Sequence, residues 1–134
     1  MKHLNIAVLG DCIIDDYRYG KVSRISPEFP VQILTSSQYS GKLYCGGAAN
    51  VCYQMKHFDV DAFLIGFLDY PAKDLFRKQK FNIDHCVKIS GRVPKKVRFD
   101  DGDLPLLRWD IEAPTYGGSD LTAYRHQALA HLKP

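Results

Sequence analysis

Leu4-Asn5-Ile6-Ala7-Val8-Leu9, closed by Gly10-Asp11, is the stretch on which the fold turns. It is a short apolar run without polar alternation, which suits a strand buried on both faces in a parallel sheet. Downstream, Gly47 to Phe58 sets Ala48, Val51, Cys52, Met55 and Phe58 at three- and four-residue spacings. That is one face of a helix opening just after a glycine pair. Asp61-Ala62-Phe63-Leu64-Ile65-Gly66-Phe67 then supplies a second buried strand. Strand, helix and strand in this order form a crossover unit, expected to be right-handed. The fold class is therefore α/β, an open parallel sheet with flanking helices.

Working outward, Arg18 to Tyr44 alternates in character, with Val31-Gln32-Ile33-Leu34-Thr35 extended and Pro27 and Pro30 forbidding a helix. It reads as strands of a small sheet outside the main core. Lys73 to Lys80 is expected to be a short surface helix, followed by extended Cys86 to Ile89. Lys95 to Phe99 and Leu104 to Ile111 flank Asp100-Asp101-Gly102-Asp103, a hairpin signal that Pro105 weakens at the start of the second arm. Asp120 to Lys133 carries Leu121, Tyr124, Ala128 and Leu132 on one helical stripe behind a cap at Ser119 or Asp120. An open α/β sheet calls for another parallel strand after that helix, and the sequence stops there.

Size and composition bound the function. The chain has 134 residues, 46% hydrophobic and 25% charged, with 7 prolines, which suits one compact domain. Its net charge of +3 comes from 18 Lys/Arg against 15 Asp/Glu scattered without a basic block, so nothing points to a nucleic-acid partner. No apolar run approaches the ~20 residues of a bilayer span, and the first residues pass straight into a strand rather than a cleavable signal. A cytoplasmic location without a membrane partner is the expectation. Cys12, Cys45, Cys52 and Cys86 form no C-x-x-C pair and lie in apolar segments, where a thiol behaves as a small buried hydrophobe. The five histidines offer no converging metal set, since His126 and His131 fall on different helix faces.

Two constellations carry chemistry. Gly10-Asp11-Cys12-Ile13-Ile14-Asp15 fails the dinucleotide pattern at its second glycine. Gly41-Lys42 opens no phosphate loop, because Leu43 replaces the hydroxyl residue and Ser36 stands where the first glycine belongs. The pattern that does stand after the first strand is G-D-x-x-x-D, which sets Asp15 just past the carboxyl edge of the sheet, where α/β folds bind ligands. An ionised carboxylate there can accept from two neighbouring sugar hydroxyls. Asp11, Asp15 and Asp16 read equally as loop or capping acids. Gly46-Gly47-Ala48-Ala49-Asn50 opens the crossover helix with small residues, so that a ligand could approach the backbone and meet helix N-terminal amides. Asn50 adds an amide that donates and accepts. The same glycines also read as a plain turn into the helix.

Read together, Gly10 to Gly20, then Ser23-Arg24-Ile25-Ser26-Pro27-Glu28-Phe29-Pro30-Val31, then Gly46 to Val51 resemble the opening of the ribokinase-like (PfkB) carbohydrate kinases. The S-R-I-S-P-E-x-P-V run is most similar to the branch that phosphorylates heptose 7-phosphate. The resemblance implies that Asp15, Gly46 and Asn50 contact the sugar, with Gly47 beside them. It implies a β-sheet lid over residues 17–44 and 95–111 that often doubles as a dimer surface, with Lys96 and Arg98 as partners of the substrate's phosphate. Residues 1–134 then correspond to an N-terminal half domain that binds a sugar phosphate and pairs through its lid strands or with a complementing C-terminal half. The family's phosphoryl donor is MgATP and its catalytic aspartate lies in a G-A-G-D motif. That motif is absent here, so no catalytic residue and no cofactor is assigned to this chain alone. Gly117-Gly118-Ser119-Asp120 precedes the wrong helix for it. Gly66 to Pro71 is also shorter than the family's usual acidic, glycine-containing turn. Two other readings stay open: an interaction protein derived from a kinase that uses Tyr17, Tyr19, Phe29, Tyr39 and Tyr44 as its surface, and an excerpt of an active kinase.

Overall fold

The computed structural model describes residues 4–36, 41–58, 60–102, 104–112 and 116–131. In chain order the elements are β1 (Asn5–Leu9), β2 (Cys12–Ile25), β3 (Gln32–Thr35), β4 (Gly41–Gly47), α1 (Ala48–Met55), β5 (Asp61–Ile65) and β6 (Phe67–Leu68). Next come α2 (Tyr70–Lys78), β7 (Val87–Lys88), β8 (Lys95–Asp101), β9 (Leu104–Ile111) and α3 (Gly118–His131). The α/β class expected from the sequence is what the chain adopts. β1 and β5 pair in parallel from Asn5↔Asp61 to Leu9↔Ile65, with α1 as the crossover between them. β6 and β7 make a second parallel pair.

The larger sheet, of five strands, holds the segments that the sequence reading assigns to a lid. β2 pairs in parallel with β8 over Ile14–Gly20 and antiparallel with β4 over Cys12–Arg18, while its far half pairs with β3. β9 completes it as the antiparallel partner of β8, the hairpin expected around Gly102. A bulge between Phe99 and Asp100 accommodates Pro105, which cannot donate to the ladder. The first strand of this sheet begins at Cys12. β2 leaves β1 after only Gly10 and Asp11, because Cys12 and Ile14 are buried in the core and hold the strand from its first residue.

The core gathers Leu64 from β5, Leu68 from β6, Ala72 and Phe76 from α2, Cys12 and Ile14 from β2, and Ala48, Ala49 and Cys52 from α1. Side chains as large as Phe76 and Leu64 contribute about 1.5–3 kcal/mol each on full burial. Cys12, Cys45 and Cys52 are free and buried as expected. Burial pushes the Cys45 thiol up to about 12 and that of Cys52 to about 11, so neither is a nucleophile.

Two helix faces differ from the periodicity reading. In α1 the buried residues are Ala48, Ala49 and Cys52, while Val51 is exposed, as is Phe58 in the turn after the helix. The smallest side chains let this helix lie close on β1 and β5, which rotates the inward face by about one residue. In α3, Ala128 is buried and Tyr124 stacks on Phe67, but Leu121 is exposed. Leu132 lies outside the described residues. At the start of α3, Asp120 accepts from the Gly117 N–H at 3.3 Å, which gives that carboxylate a helix-end role.

α2 begins at Tyr70 rather than Lys73, because Asp69 caps it. Oδ1 of Asp69 accepts from the Ala72 N–H at 2.8 Å and Oδ2 from the Val93 N–H at 3.3 Å. Pro71 sits in the first turn, where no N–H is required, so the shortened segment is a compact helix start. No helix among the described residues is long and apolar enough to cross a membrane.

Candidate functional site

Alternation along β2 separates two acids that are neighbours in sequence. Successive strand side chains point to opposite faces, so Asp15 and Asp16 serve different surfaces of the lid. On one face a cavity of about 940 Å³ is lined by Asp15, Tyr17, Tyr44, Asn50, Tyr53 and Arg98, together with Lys78 to Phe81. On the other, a cavity of about 680 Å³ is lined by Asp16, Arg18, Lys95, Val97, Phe99 and Trp109 among others.

Asp15 is the centre of the first face. Arg98 Nη2 donates to its Oδ1 at 3.0 Å, and the same guanidinium lies over the Tyr17 ring at 5.4 Å. Tyr44 meets Tyr17 edge-on at 5.6 Å and extends the aromatic wall. The Arg98 Nε is buried without a hydrogen-bond partner among the described residues. The Asp15 Oδ2 lies where a Gly46 side chain would be: a Cβ there would overlap this oxygen outright and sit 3.1 Å from Cγ. Gly46 is thus the residue that lets the carboxylate pack against backbone.

Gly47 has φ +62, and a Cβ on it would strike the Asp11 carbonyl, so the turn from β4 into α1 requires glycine on both counts. The Asp11 carbonyl also accepts the Ala48 N–H at 2.9 Å. One helix N-terminal amide expected to face a ligand is therefore already used by the backbone. Asn50, in the first turn of α1, reaches the cavity.

The structure brings Asp15, Gly46, Asn50 and Arg98 together, with Gly47 as the adjoining turn. The reading of Asp15 and Asp16 as loop acids is overturned, since both lie within β2 and both are paired. Lys96 is half-buried and stands opposite Asp110 on β9, outside the cavity lining. The Asp110 carboxyl is held below the usual carboxylate range mainly by its hydrogen bond from Arg108, with Lys96 adding to the effect. Sequence reasoning missed Lys78, Gln79 and Lys80. They looked like the solvated end of a surface helix, but Gln79 Nε2 donates to the Leu43 carbonyl at 2.7 Å and its Oε1 accepts from the Cys45 N–H at 3.1 Å. That pair of hydrogen bonds ties the end of α2 to β4 and brings its lysines to the rim.

Asp16 is only 1% exposed and accepts from Arg18 at 2.7 Å and from Lys95 at 3.1 Å. Burial opposes its charged form, but the hydrogen bonds from Arg18 and Lys95 outweigh it and lower its pKa. This is a structural ion cluster under the outer face of the lid. Leu104, Leu107 and Trp109 of β9 are exposed. Of the aromatic surface expected from the sequence, Phe29 and Tyr44 are exposed, Tyr17 and Tyr19 are half-buried, and Tyr39 lies outside the described residues. Among the described residues no three His, Cys, Asp or Glu side chains group as a metal site.

No family model matches the chain. Among curated proteins it is 38% identical over 111 residues to the bifunctional protein HldE of a Nitratiruptor strain, covering 80% of this chain and 24% of that protein. The HldE protein of Magnetococcus marinus is 31% identical over 131 residues, 93% of this chain and 26% of that protein. The Actinobacillus succinogenes HldE protein is 34% identical over 115 residues, 82% and 24% of the two lengths. The chain thus spans about a quarter of the length of these relatives. Among solved structures, the nucleoside kinase of Methanocaldococcus jannaschii, an archaeal member of the ribokinase family, superposes with a TM-score of 0.59 at 20% identity. That match covers 84% of this chain and 38% of that one. The Burkholderia thailandensis nucleoside kinase in complex with inosine gives a TM-score of 0.57 at 13% identity over 80% and 35% of the two chains. These likenesses establish the fold.

Proposed function

We propose, from its likeness to the bifunctional HldE proteins and its ribokinase-like fold, that the chain is the sugar-phosphate-recognising part of an ATP-dependent heptose-phosphate kinase. The observation that carries this reading is that Asp15, Asn50 and Arg98, from three separate elements, line one aromatic-walled cavity, with Gly46 packed behind the Asp15 carboxylate. Asp15 accepts from sugar hydroxyls, Asn50 donates and accepts beside it, and the two glycines let the ring approach the backbone. Arg98 is the positioning residue that holds the carboxylate in place and aimed into the cavity.

MgATP would be the phosphoryl donor of such a kinase. The residues present do not fit it: neither the G-A-G-D motif nor a phosphate-cradling loop occurs in the sequence, and the chain leaves β1 directly into β2. No step of phosphoryl transfer is therefore assigned to these residues, and recognition and lid closure are their part. Titration calorimetry with heptose 7-phosphate tests the reading. Asp15→Ala is expected to weaken binding by about 1.5–3 kcal/mol, the range for hydrogen bonds to a charged group. Unchanged affinity would sink the assignment.

A second reading is favoured by the exposed apolar row Leu104, Leu107 and Trp109 on edge strand β9. Such an edge pairs readily with a second copy, which makes the lid a dimer surface. Light scattering on wild type and Leu107→Glu tests it: a dimer that the charge dissociates is expected, and a wild-type monomer refutes it.

A further inference from the structure

The cavity beside Asp15 has a second end. Asp15 and Arg98 neutralise each other, which leaves Lys78 and Lys80 as two uncompensated positive charges on its lining. Neither lysine has an ion-pair partner among the described residues. Their place is set by the sheet. β8, β2 and β4 are successive strands, so about 10 Å of sheet separates the strand of Arg98 from β4. Gln79, bonded twice to the β4 backbone, fixes the two lysines on that far side.

Lys80 is also held in an unusual conformation. α2 ends with the Lys80 N–H on the Arg77 carbonyl at 2.9 Å and the Phe81 N–H on the Phe76 carbonyl at 3.0 Å. This reversal puts Lys80 at φ 60, where glycine or asparagine is the usual residue, and no other described non-glycine residue has a positive φ. A lysine that only offset the helix dipole would belong inside the last turn, as Lys78 does. Lys80 lies beyond it, with its Cβ in a sterically costly position on the rim of the cavity. Such an outlier points to a role outside packing.

We infer that Lys78 and Lys80 form the anion-binding end of the cavity and take the phosphate of the sugar whose hydroxyls Asp15 and Asn50 read. The inference rests on the sugar-phosphate reading above and places the phosphate at the end of α2 rather than at Lys96, which stands beside Asp15 in the sheet but is not among the residues lining the cavity. A ligand that spans both ends must carry its anionic group several ångströms from the hydroxyls at Asp15. That geometry selects a long-chain sugar phosphate over a free sugar.

The test compares heptose 7-phosphate with unphosphorylated heptose by titration calorimetry on the full chain. Wild type is expected to prefer the phosphate. The double variant Lys78→Gln/Lys80→Gln is expected to lose roughly tenfold in affinity for the phosphate and nothing for the free sugar, since two partly exposed charge pairs are removed. Lys96→Gln should leave both affinities in place. Lys80→Gly should melt no lower than wild type while losing part of the preference, a combination that structural damage does not produce. A double variant that keeps the preference, or a Lys96→Gln protein that loses it, overturns the inference and leaves sugar recognition standing. A wild type that binds neither ligand removes both.

Discussion

Replacing Gly46 by alanine probes the centre of the site with one methyl group. The new Cβ would overlap the Asp15 Oδ2 and lie 3.1 Å from its Cγ, whereas the Ile13 carbonyl at 3.6 Å tolerates it. The carboxylate must therefore swing out, and the 3.0 Å hydrogen bond from Arg98 breaks. A hydrogen bond to a charged group has a net value of about 1.5–3 kcal/mol. With side chains 29% and 19% exposed, solvent screening reduces that to about 1–2 kcal/mol of stability. Binding suffers more, because a displaced Asp15 no longer faces the ligand. The expected loss matches that of Asp15→Ala, roughly ten- to a hundredfold in Kd.

The assay is a double-mutant cycle read by urea unfolding and by calorimetry with heptose 7-phosphate. In the Asp15→Ala background the added methyl meets empty space, so Gly46→Ala should there cost almost nothing. The two substitutions are thus strongly non-additive. If Gly46→Ala costs the same with and without the Asp15 carboxylate, the glycine is not there to seat it, and the reasoning fails.

Two further substitutions test the frame around the site. Asp16→Asn leaves Arg18 and Lys95 facing a neutral group under the lid, with an expected loss of about 2 kcal/mol in urea unfolding. Because its folded pKa is depressed, Asp16 adds stability that is present above its ordinary value of 3.8 and lost as pH falls through the lower folded value. Urea midpoints between about pH 2 and pH 6 should accordingly fall less steeply with acid in the Asn variant, and parallel curves would contradict this. Asp69→Ala removes the cap of α2 and strands the buried Val93 N–H, so a loss of about 2 kcal/mol is expected, with Asp69→Asn recovering part of it.

The elements that depend on local pattern were legible before any coordinates. The apolar runs of β1 and β5 and the glycine pair before α1 are read from residue type and spacing, because strand pattern and turns are local properties, whereas Asp15 and Asn50 became candidate site residues only through the family resemblance. Only the fold decided which partners meet. Arg98 is 83 residues from Asp15 in sequence and reaches it because β8 lies beside β2 in a particular register. That same register sets Lys96 beside Asp15, while alternation along β2 puts Asp16 on the opposite face. Gln79, through two bonds to β4, carried Lys78 and Lys80 to its rim. The residue types of the candidate site were in the sequence, and its distribution of charge came from strand pairing, which sequence separation does not encode.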